Sequence, residues 1–264
     1  MPETIAPGIN HATINMANGG RIEAIVVDHN AGHVKVISSI STSNAREYGF
    51  DVGSTMTLSD YYQSTKPLAV LSGGFLSSFS PPLPLGQIVI DGNLVSQPHI
   101  SWLTTGMFCA SENGYFVEEF NPKKKIVPHS DCIQSGPLLI KNNEVRYDSN
   151  YNYSTAEMDL VKPVKDQAFV CVTRDGNLIL GVSTPSRLDE FSHAVKTELQ
   201  CANALGLTTF ETAGLYYQEK LVGHDELPLT SVIAIFASSP VPPSIPSQRP
   251  AERPPAASPY VPAY

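Results

Sequence analysis

The feature that most constrains this chain is a series of short apolar segments, paired across Asx-Gly steps. Three such steps are Asp91-Gly92-Asn93, Glu112-Asn113-Gly114 and Arg174-Asp175-Gly176, and each lies between two runs of β-type residues. Asn-Gly and Asp-Gly adopt the backbone that tight hairpin turns require. Hairpins that recur in this way predict a largely antiparallel sheet.

Other segments extend the predicted sheet. Residues 22–27 and 33–37 flank Asn30-Ala31-Gly32 and predict a further hairpin. Residues 68–71 form an apolar run that predicts a strand. Residues 137–140 and 145–147 flank a polar turn and predict another hairpin.

Helical periodicity is rarer in this sequence. Residues 186–205 are predicted to form a helix that starts with a capping box, Ser186 and Asp189, or with Thr184-Pro185, and stops at Gly206. The apolar positions with helical spacing are Leu188, Phe191, Val195, Leu199, Ala202 and Leu205. A weaker helix is predicted over residues 58–64. The fold class expected is therefore α+β, with a mixed, largely antiparallel sheet and few helices.

The composition changes near residue 238, where prolines begin to recur, from Pro240 to Pro262. Such a stretch disfavours both helix and sheet and buries little apolar area. We expect one domain over residues 1–238 and a disordered proline-rich tail over residues 239–264. The tail is interpreted either as a spacer, the favoured alternative, or as a ligand for a proline-recognising protein module.

The overall composition excludes several classes of partner. Hydrophobic residues make up 42% of the chain, which is enough for a sizeable core, and the formal net charge is −8. An acidic surface repels a nucleic-acid duplex and anionic membranes. No apolar run is long enough to span a membrane, and no signal peptide is visible. We therefore expect a water-soluble protein.

The cysteines form no recognisable metal or redox motif. Cys109, Cys132, Cys171 and Cys201 are far apart in sequence and permit three disulfide pairings. Buried free thiols are the favoured alternative. Signatures of zinc sites, P-loops, dinucleotide-binding folds and serine proteases are absent, so neither a metal nor a cofactor is expected.

Four glycine-centred loops are candidates for binding. They are Ser72-Gly73-Gly74-Phe75, Pro84-Leu85-Gly86, Thr105-Gly106-Met107-Phe108 and Ile133-Gln134-Ser135-Gly136-Pro137. Glycine at a strand end serves either as a tight turn or as a point where backbone approaches a ligand closely. Backbone N–H groups in such loops can bind an anion.

Taken in order, these loops resemble the phosphodiester glycosidase family, which includes the lysosomal "uncovering enzyme". An entry segment, Pro7-Gly8-Ile9-Asn10-His11, precedes them, and the longer string Gln134-Ser135-Gly136-Pro137-Leu138-Leu139 is the most specific match. The similarity runs from about Pro7 to Gln218. It implies hydrolysis of a sugar-1-phosphodiester, with a small sugar-phosphate or phosphodiester ligand, and a secreted or extracytoplasmic location.

The resemblance also implies site residues. Glu211 is the candidate catalytic carboxylate, since it lies in Thr209-Phe210-Glu211-Thr212-Ala213-Gly214, where the family has Leu-Asp-Gly-Gly. The substrate-binding candidates are Ser72, Gly73, Gly74, Gln134, Ser135, Gly136 and Lys165. Ser72 replaces the family's Asn, and Lys165 with Asp166 lies where the family has an Arg. These departures leave an alternative open, a non-catalytic member that binds a sugar, nucleotide or phosphodiester.

Overall fold

The computed structural model describes residues 2–29, 31–146 and 163–237. Strands dominate these residues, and all pairings between the strands are antiparallel. Three α-helices accompany them. The predicted α+β class with a largely antiparallel sheet is therefore confirmed, whereas the predicted tail lies outside the described residues.

The helices are α1 (Thr42–Tyr48), α2 (Leu58–Thr65) and α3 (Leu188–Thr197), and short 3-10 turns cover Trp102–Thr104 and Phe210–Thr212. The strands in chain order are β1 (Glu3–Ala6), β2 (Ile9–Asn15), β3 (Arg21–Val27), β4 (Gly32–Ser38), β5 (Ala69–Ser72), β6 (Leu76–Phe79), β7 (Pro82–Pro84), β8 (Ile88–Ile90), β9 (Asn93–Ser96), β10 (Gly106–Ser111), β11 (Gly114–Glu119), β12 (Asp131–Ser135), β13 (Leu138–Lys141), β14 (Glu144–Val145), β15 (Lys165–Thr173), β16 (Leu178–Ser186), β17 (Cys201–Thr209), β18 (Gly214–Tyr217), β19 (Lys220–Gly223) and β20 (Ser231–Ala237).

Three sheets organise these strands. The largest, sheet A, has eight strands in the order β1-β2-β3-β16-β15-β17-β13-β14. Sheet B has the order β19-β18-β5-β20-β4, and sheet C has the order β11-β10-β12-β8-β9. The β6–β7 pair forms a separate hairpin. The largest apolar core is shared by side chains of all three sheets, for example Val170 of sheet A, Leu71 of sheet B and Phe108 of sheet C.

The central strands of sheet A are buried on both faces. In β15, Ala168, Val170 and Val172 point into the shared core, and the alternate residues Phe169 and Cys171 face a second core. That second core includes the apolar face of α3. Alternation of side chains along a strand explains why β15 is apolar at successive positions.

The predicted hairpin over residues 22–27 and 33–37 is wrong. Both strands exist as β3 and β4, but β3 pairs with β2 and β16, whereas β4 pairs with β20. The segment between them carries the chain from sheet A to sheet B. The predicted hairpins β8–β9, β10–β11, β13–β14 and β15–β16 are confirmed.

The predicted helix over residues 186–205 is too long. Helix α3 ends at Thr197, and Leu199 lies beyond it, while Ala202 and Leu205 belong to strand β17. The N-cap is Arg187 without a side-chain cap bond, so the capping box of Ser186 and Asp189 does not form. Strand β17 is buried between β15 and β13, and this tertiary pairing overrides a spacing that also fits a helix. The predicted helix at residues 58–64 is confirmed as α2, whereas α1 was not predicted.

Both pairs of cysteines form disulfides, contrary to the favoured prediction of free thiols. Cys109 of β10 bonds to Cys132 of β12, and Cys171 of β15 bonds to Cys201 of β17. Each bond joins adjacent strands of one sheet. The sequence alone permits three disulfide pairings of the four cysteines. The strand order of the sheets selects Cys109–Cys132 with Cys171–Cys201.

Candidate active site

The first predicted loop begins at the C-terminal end of β5, the middle strand of sheet B. Ser72 is fully buried, and its Oγ accepts a hydrogen bond from the Gly214 amide at 2.7 Å and donates one to the Gly214 carbonyl at 2.9 Å. Ser72 thereby fixes the end of β5 to the start of β18. Because both hydrogen bonds of the Ser72 hydroxyl go to the Gly214 backbone, Ser72 has a structural role beside the site.

The two glycines that follow have different surroundings. The Gly73 amide donates to the Ser231 carbonyl, and a Cβ on Gly73 would lie 2.5 Å from that oxygen, so only glycine fits. Gly74 is half-buried, and a Cβ there would lie 3.3 Å from the Gln134 carbonyl oxygen and 3.5 Å from the Ser135 Oγ. The structure therefore brings the Gly73-Gly74 loop against the end of β12.

Gln134 is buried, and its side chain holds two loops in place. Its Oε1 accepts from the amides of Gln87 and His99, and its Nε2 donates to the carbonyls of His99 and Thr104. Both amide hydrogens and both lone pairs are used. The Gln134 side chain therefore has no free donor or acceptor for a ligand. It shapes the site by holding the backbone of the two loops in place.

The end of β12 also contacts sheet A. The Ser135 Oγ donates to the Leu207 carbonyl of β17 at 2.8 Å, and Ser135 is fully buried. Gly136 follows, and a Cβ there would lie 2.8 Å from the Leu103 carbonyl carbon. Residues 72–74 and 134–136 together are called the glycine wall below.

The ionisable side chains of the candidate site lie around the turn that follows strand β17. Strand β17 ends in the 3-10 turn Phe210–Thr212, in which Glu211 is exposed. The Thr212 hydroxyl contacts that of Thr208 at 2.5 Å and donates to the Thr209 carbonyl at 2.8 Å. These bonds hold the turn at the end of sheet A with the Glu211 carboxylate in solvent.

Lys165 begins β15 beside this turn. Its ammonium group lies 4.4 Å from the centre of the Phe210 ring, a distance that allows a cation–π interaction. Burial lowers the pKa of Lys165 below its ordinary value. The lysine and Glu211 therefore flank the same aromatic residue.

Sequence reasoning missed the most closely coupled pair at this end of the molecule. The Nε2 of His224 lies 2.7 Å from the Asp166 carboxylate, and its Nδ1 lies 3.3 Å from Glu226. The His224 amide donates to the Ala213 carbonyl at 2.9 Å, which places it beside the Phe210–Thr212 turn. Asp166 and His224 are 58 positions apart, so no local spacing revealed them.

The environment of His224 favours its protonated form. Partial burial acts to lower its pKa, but the hydrogen bond and charge of Asp166, with a contribution from Glu226, raise the pKa above its ordinary value. Lys165, Asp166, His224, Glu226 and the Phe210–Thr212 turn are called the charged wall below. The two walls are linked because Ser72 binds Gly214, which only Ala213 separates from the turn.

A model of the phosphodiester glycosidase family matches residues 65–236, which is more than half of the chain. This chain belongs to the phosphodiester glycosidase family. The matched region contains every residue of both walls. No curated protein sequence matches the chain.

Solved structures with the same fold are distant in sequence. The zebrafish N-acetylglucosamine-1-phosphodiester α-N-acetylglucosaminidase catalytic domain, auto-inhibited by its pro-peptide, matches with a TM-score of 0.66 at 15% identity, over 87% of this chain and 82% of that one. A hypothetical protein from Synechocystis matches with a TM-score of 0.61 at 12% identity, over 87% and 62% of the two chains. A protein from Burkholderia pseudomallei matches with a TM-score of 0.58 at 9% identity, over 86% and 74%.

In residues 2–29, 31–146 and 163–237, no helix is long and apolar enough to cross a membrane. The same residues contain no group of three or more His, Cys, Asp or Glu side chains arranged to hold a metal ion.

Proposed function

We propose that this chain hydrolyses a sugar-1-phosphodiester at the junction of the glycine wall and the charged wall. Membership of the phosphodiester glycosidase family supports the class of reaction. The observation that supports the site most directly is the Asp166–His224 pair at 2.7 Å, held against the turn that carries Glu211. Perturbed ionisable groups beside a glycine-rich backbone loop are typical of functional sites.

The proposed reaction transfers the sugar to water. The bond between the anomeric carbon and the ester oxygen of the phosphate breaks, and the oxygen of water bonds to that carbon. The bonding electrons leave with the phosphate monoester, and one proton of the water is taken up by a base. A phosphate monoester is a stable anion, so it can leave without being protonated by a strong acid. The reaction instead needs a base to take the proton from water and cations to stabilise the phosphate.

The charged wall offers side chains for both demands. Glu211 is the candidate base, since it is an exposed carboxylate in the turn that follows β17. Protonated His224 and Lys165 are candidate contacts for the phosphate, and Asp166 would position His224. The half-buried Gly74 allows the backbone to approach the ligand closely.

Turnover of a methyl diester of a sugar 1-phosphate tests this proposal. Removing a general base typically lowers the rate by about 10²–10⁴-fold, so Glu211→Gln is expected to lose activity on that scale. Glu219→Gln is the matched control, because Glu219 is exposed in the β18–β19 turn away from the charged wall. Unchanged turnover in Glu211→Gln would eliminate Glu211 as the base.

A non-catalytic member of the family is the second candidate function. It is favoured by the sequence Thr212-Ala213, which replaces two glycines of the family's motif, and by Ser72 in place of Asn. Measurable binding of the same diester without any turnover in the native chain would support this alternative and exclude hydrolysis.

We also propose an oxidising compartment for this protein. The disulfides Cys109–Cys132 and Cys171–Cys201 support it, because structural disulfides persist in secreted and extracytoplasmic proteins and are rare in the cytosol. Protein isolated from its native source is expected to contain no alkylatable thiols when denatured without reductant. Four alkylated cysteines would contradict the proposal.

A further inference from the structure

The last strand carries the chain away from the candidate active site to a second concave surface. In the pairing of β20 with β4, Ser231 lies opposite Ser38, and Ala237 lies opposite Gly32. Seven residues of extended strand span roughly 20 Å. The described part of the chain therefore ends at the far end of sheet B, with residues 238–264 still to follow.

A groove opens at this point. A cavity of about 750 Å³ is lined by Ala237 and Phe236 themselves, and a second cavity of about 350 Å³ continues it toward Asp91 and Asp131. Both are bounded by β4, α1 and the β10–β11 turn. We call this surface the distal groove and define it by His33, Lys35, Glu47, Tyr48, Glu112 and Tyr115.

Fixed aromatic rings form part of the groove. The Tyr115 hydroxyl donates to the Gly32 carbonyl at 2.9 Å, and Tyr48 stacks on Phe236 with ring centroids 6.3 Å apart. Both tyrosines are half-buried, so each presents part of its ring to the groove. Grooves lined by ordered aromatic rings bind proline-rich segments, which are extended and have little conformational entropy to lose.

The charge of the groove is acidic. Its carboxylates are Glu47, Glu112, Asp91 and Asp131. Lys35 pairs with Glu47 at 2.6 Å, and the Nδ1 of His129 lies 3.1 Å from Asp91, so the carboxylates outnumber their basic partners. Glu112 is exposed and forms no ion pair with any described residue. The groove therefore favours a ligand that carries positive charge.

The segment that follows Ala237 has the matching chemistry. Residues 238–264 contain nine prolines, two arginines, Arg249 and Arg253, and one acidic residue, Glu252. Twenty-seven residues at about 3.1 Å each could extend to about 80 Å, so reach does not limit docking. Attachment to Ala237 also gives the segment a high effective concentration at the groove.

We propose that the proline-rich segment 238–264 of this same chain docks in the distal groove. Its prolines pack against Tyr48 and Tyr115, and its arginines contact Glu112 and the neighbouring carboxylates. The proposal is independent of the reaction at the two walls, which lie at the other end of β20.

The test compares the full chain with a chain that ends after Ala237. The shorter chain keeps all four apolar cores, which lie within residues 9–236, and the whole of the family match. A synthetic peptide of residues 238–264 is titrated into each by calorimetry. The shorter chain is expected to bind the peptide, and the full chain at least about tenfold more weakly, because its own segment competes at a high effective concentration.

Charge variants assign the binding to the groove. Glu112→Lys in the shorter chain, and Arg249→Glu with Arg253→Glu in the peptide, are each expected to weaken binding by about tenfold. Glu144→Lys is the matched control, since Glu144 is exposed at the start of β14, outside the groove. Circular dichroism confirms that the variants remain folded.

Three results would overturn the proposal. The first is a shorter chain that does not bind the peptide at millimolar concentration. The second is equal binding by both chains, which would leave the groove to another ligand. The third is a full chain that is dimeric by light scattering and becomes monomeric when the segment is removed, which would place the segment in a second copy.

Discussion

The two walls of the candidate site differ in what their polar groups bind. In the glycine wall, Ser72, Gln134 and Ser135 are buried, and their side chains hydrogen-bond to backbone groups of neighbouring strands and loops. In the charged wall, Glu211 is exposed to solvent, and His224 remains partly exposed. Side chains that bind backbone hold the fold, whereas accessible ionisable groups are free to act on a ligand.

Departures from the family's pattern occur in both walls. The string Gln134-Ser135-Gly136-Pro137 of the glycine wall matches that pattern, whereas Ser72 of the same wall replaces the family's Asn. The charged wall holds Lys165 and Asp166 where the family has Arg, and Glu211 with Thr212 where the family has Asp-Gly. Most departures therefore fall in the wall whose ionisable groups we propose to carry the chemistry.

The largest expected effect of a single substitution is in the glycine wall. Gln134→Leu removes four hydrogen bonds and leaves backbone groups of Gln87, His99 and Thr104 without their side-chain partner. The expected loss in the free energy of unfolding is about 4 kcal/mol, measured by urea denaturation. Gln63→Leu is the control, because Gln63 is exposed on α2. A loss below about 1 kcal/mol would show that Gln134 does not hold the wall.

Each disulfide joins two strands, at least one of which leads to a wall. Cys109–Cys132 joins β10 to β12, the strand that carries Gln134, and Cys171–Cys201 joins β15, which begins at Lys165, to β17, which the turn with Glu211 follows. Loops of 23 and 30 residues predict about 3 kcal/mol of stabilisation for each bond.

Replacing both cysteines of either pair by serine should therefore lower the free energy of unfolding by a similar amount. Urea denaturation of the two double variants checks this. A large loss for one pair and none for the other would contradict equal stabilisation by the two disulfides.

The contact between the walls is expected to have a smaller effect. Ser72→Ala removes both hydrogen bonds to Gly214, and the expected loss is about 2 kcal/mol in the free energy of unfolding. Ser77→Ala is the control, since Ser77 is exposed on β6. Equal stability of the two variants would mean that the Ser72 hydroxyl does not fasten β5 to β18.

The smallest expected effect is a pH dependence in the charged wall. Because the pKa of His224 is raised in the folded chain, its contribution is fully present below pH 6.5 and is lost as the pH rises through the raised value. Since the His224 side chain is 34% exposed and solvent screens its ion pair, the contribution is below about 1 kcal/mol. An NMR titration of His224 should show a lower pKa in Asp166→Asn, with Asp51→Asn as the control. An unchanged pKa in Asp166→Asn would remove Asp166 as the partner.

Local chemistry in the sequence predicted four hairpins correctly, but it paired β3 with β4 wrongly and did not indicate the pairings that join distant strands. The turn at Asp91 and Gly92 requires left-handed backbone, and both residues have positive φ, so the β8–β9 hairpin is determined locally. The pairing of β4 with β20 joins residues about 200 positions apart, and no turn encodes it. Apolar spacing through Leu199 and Leu205 fitted a helix as well as a strand buried on both faces.

The candidate site was predictable only in part. The resemblance selected Gly74, Gln134 and Glu211 as site candidates, because glycine loops and the family's motifs are contiguous in sequence. That Gln134 is fully occupied by backbone depends on loops 47 and 35 residues away. Asp166 and His224 meet only when β15 packs beside the segment after β19, which no local pattern indicates.

Hydrogen–deuterium exchange with and without a methyl diester of a sugar 1-phosphate tests most directly whether the two walls form one site. The ligand is expected to slow exchange at the backbone amides of residues 73–75 and 208–214 together, in the native chain. Protection confined to residues 32–35 and 111–115, or protection of one wall without the other, would contradict a shared site at their junction.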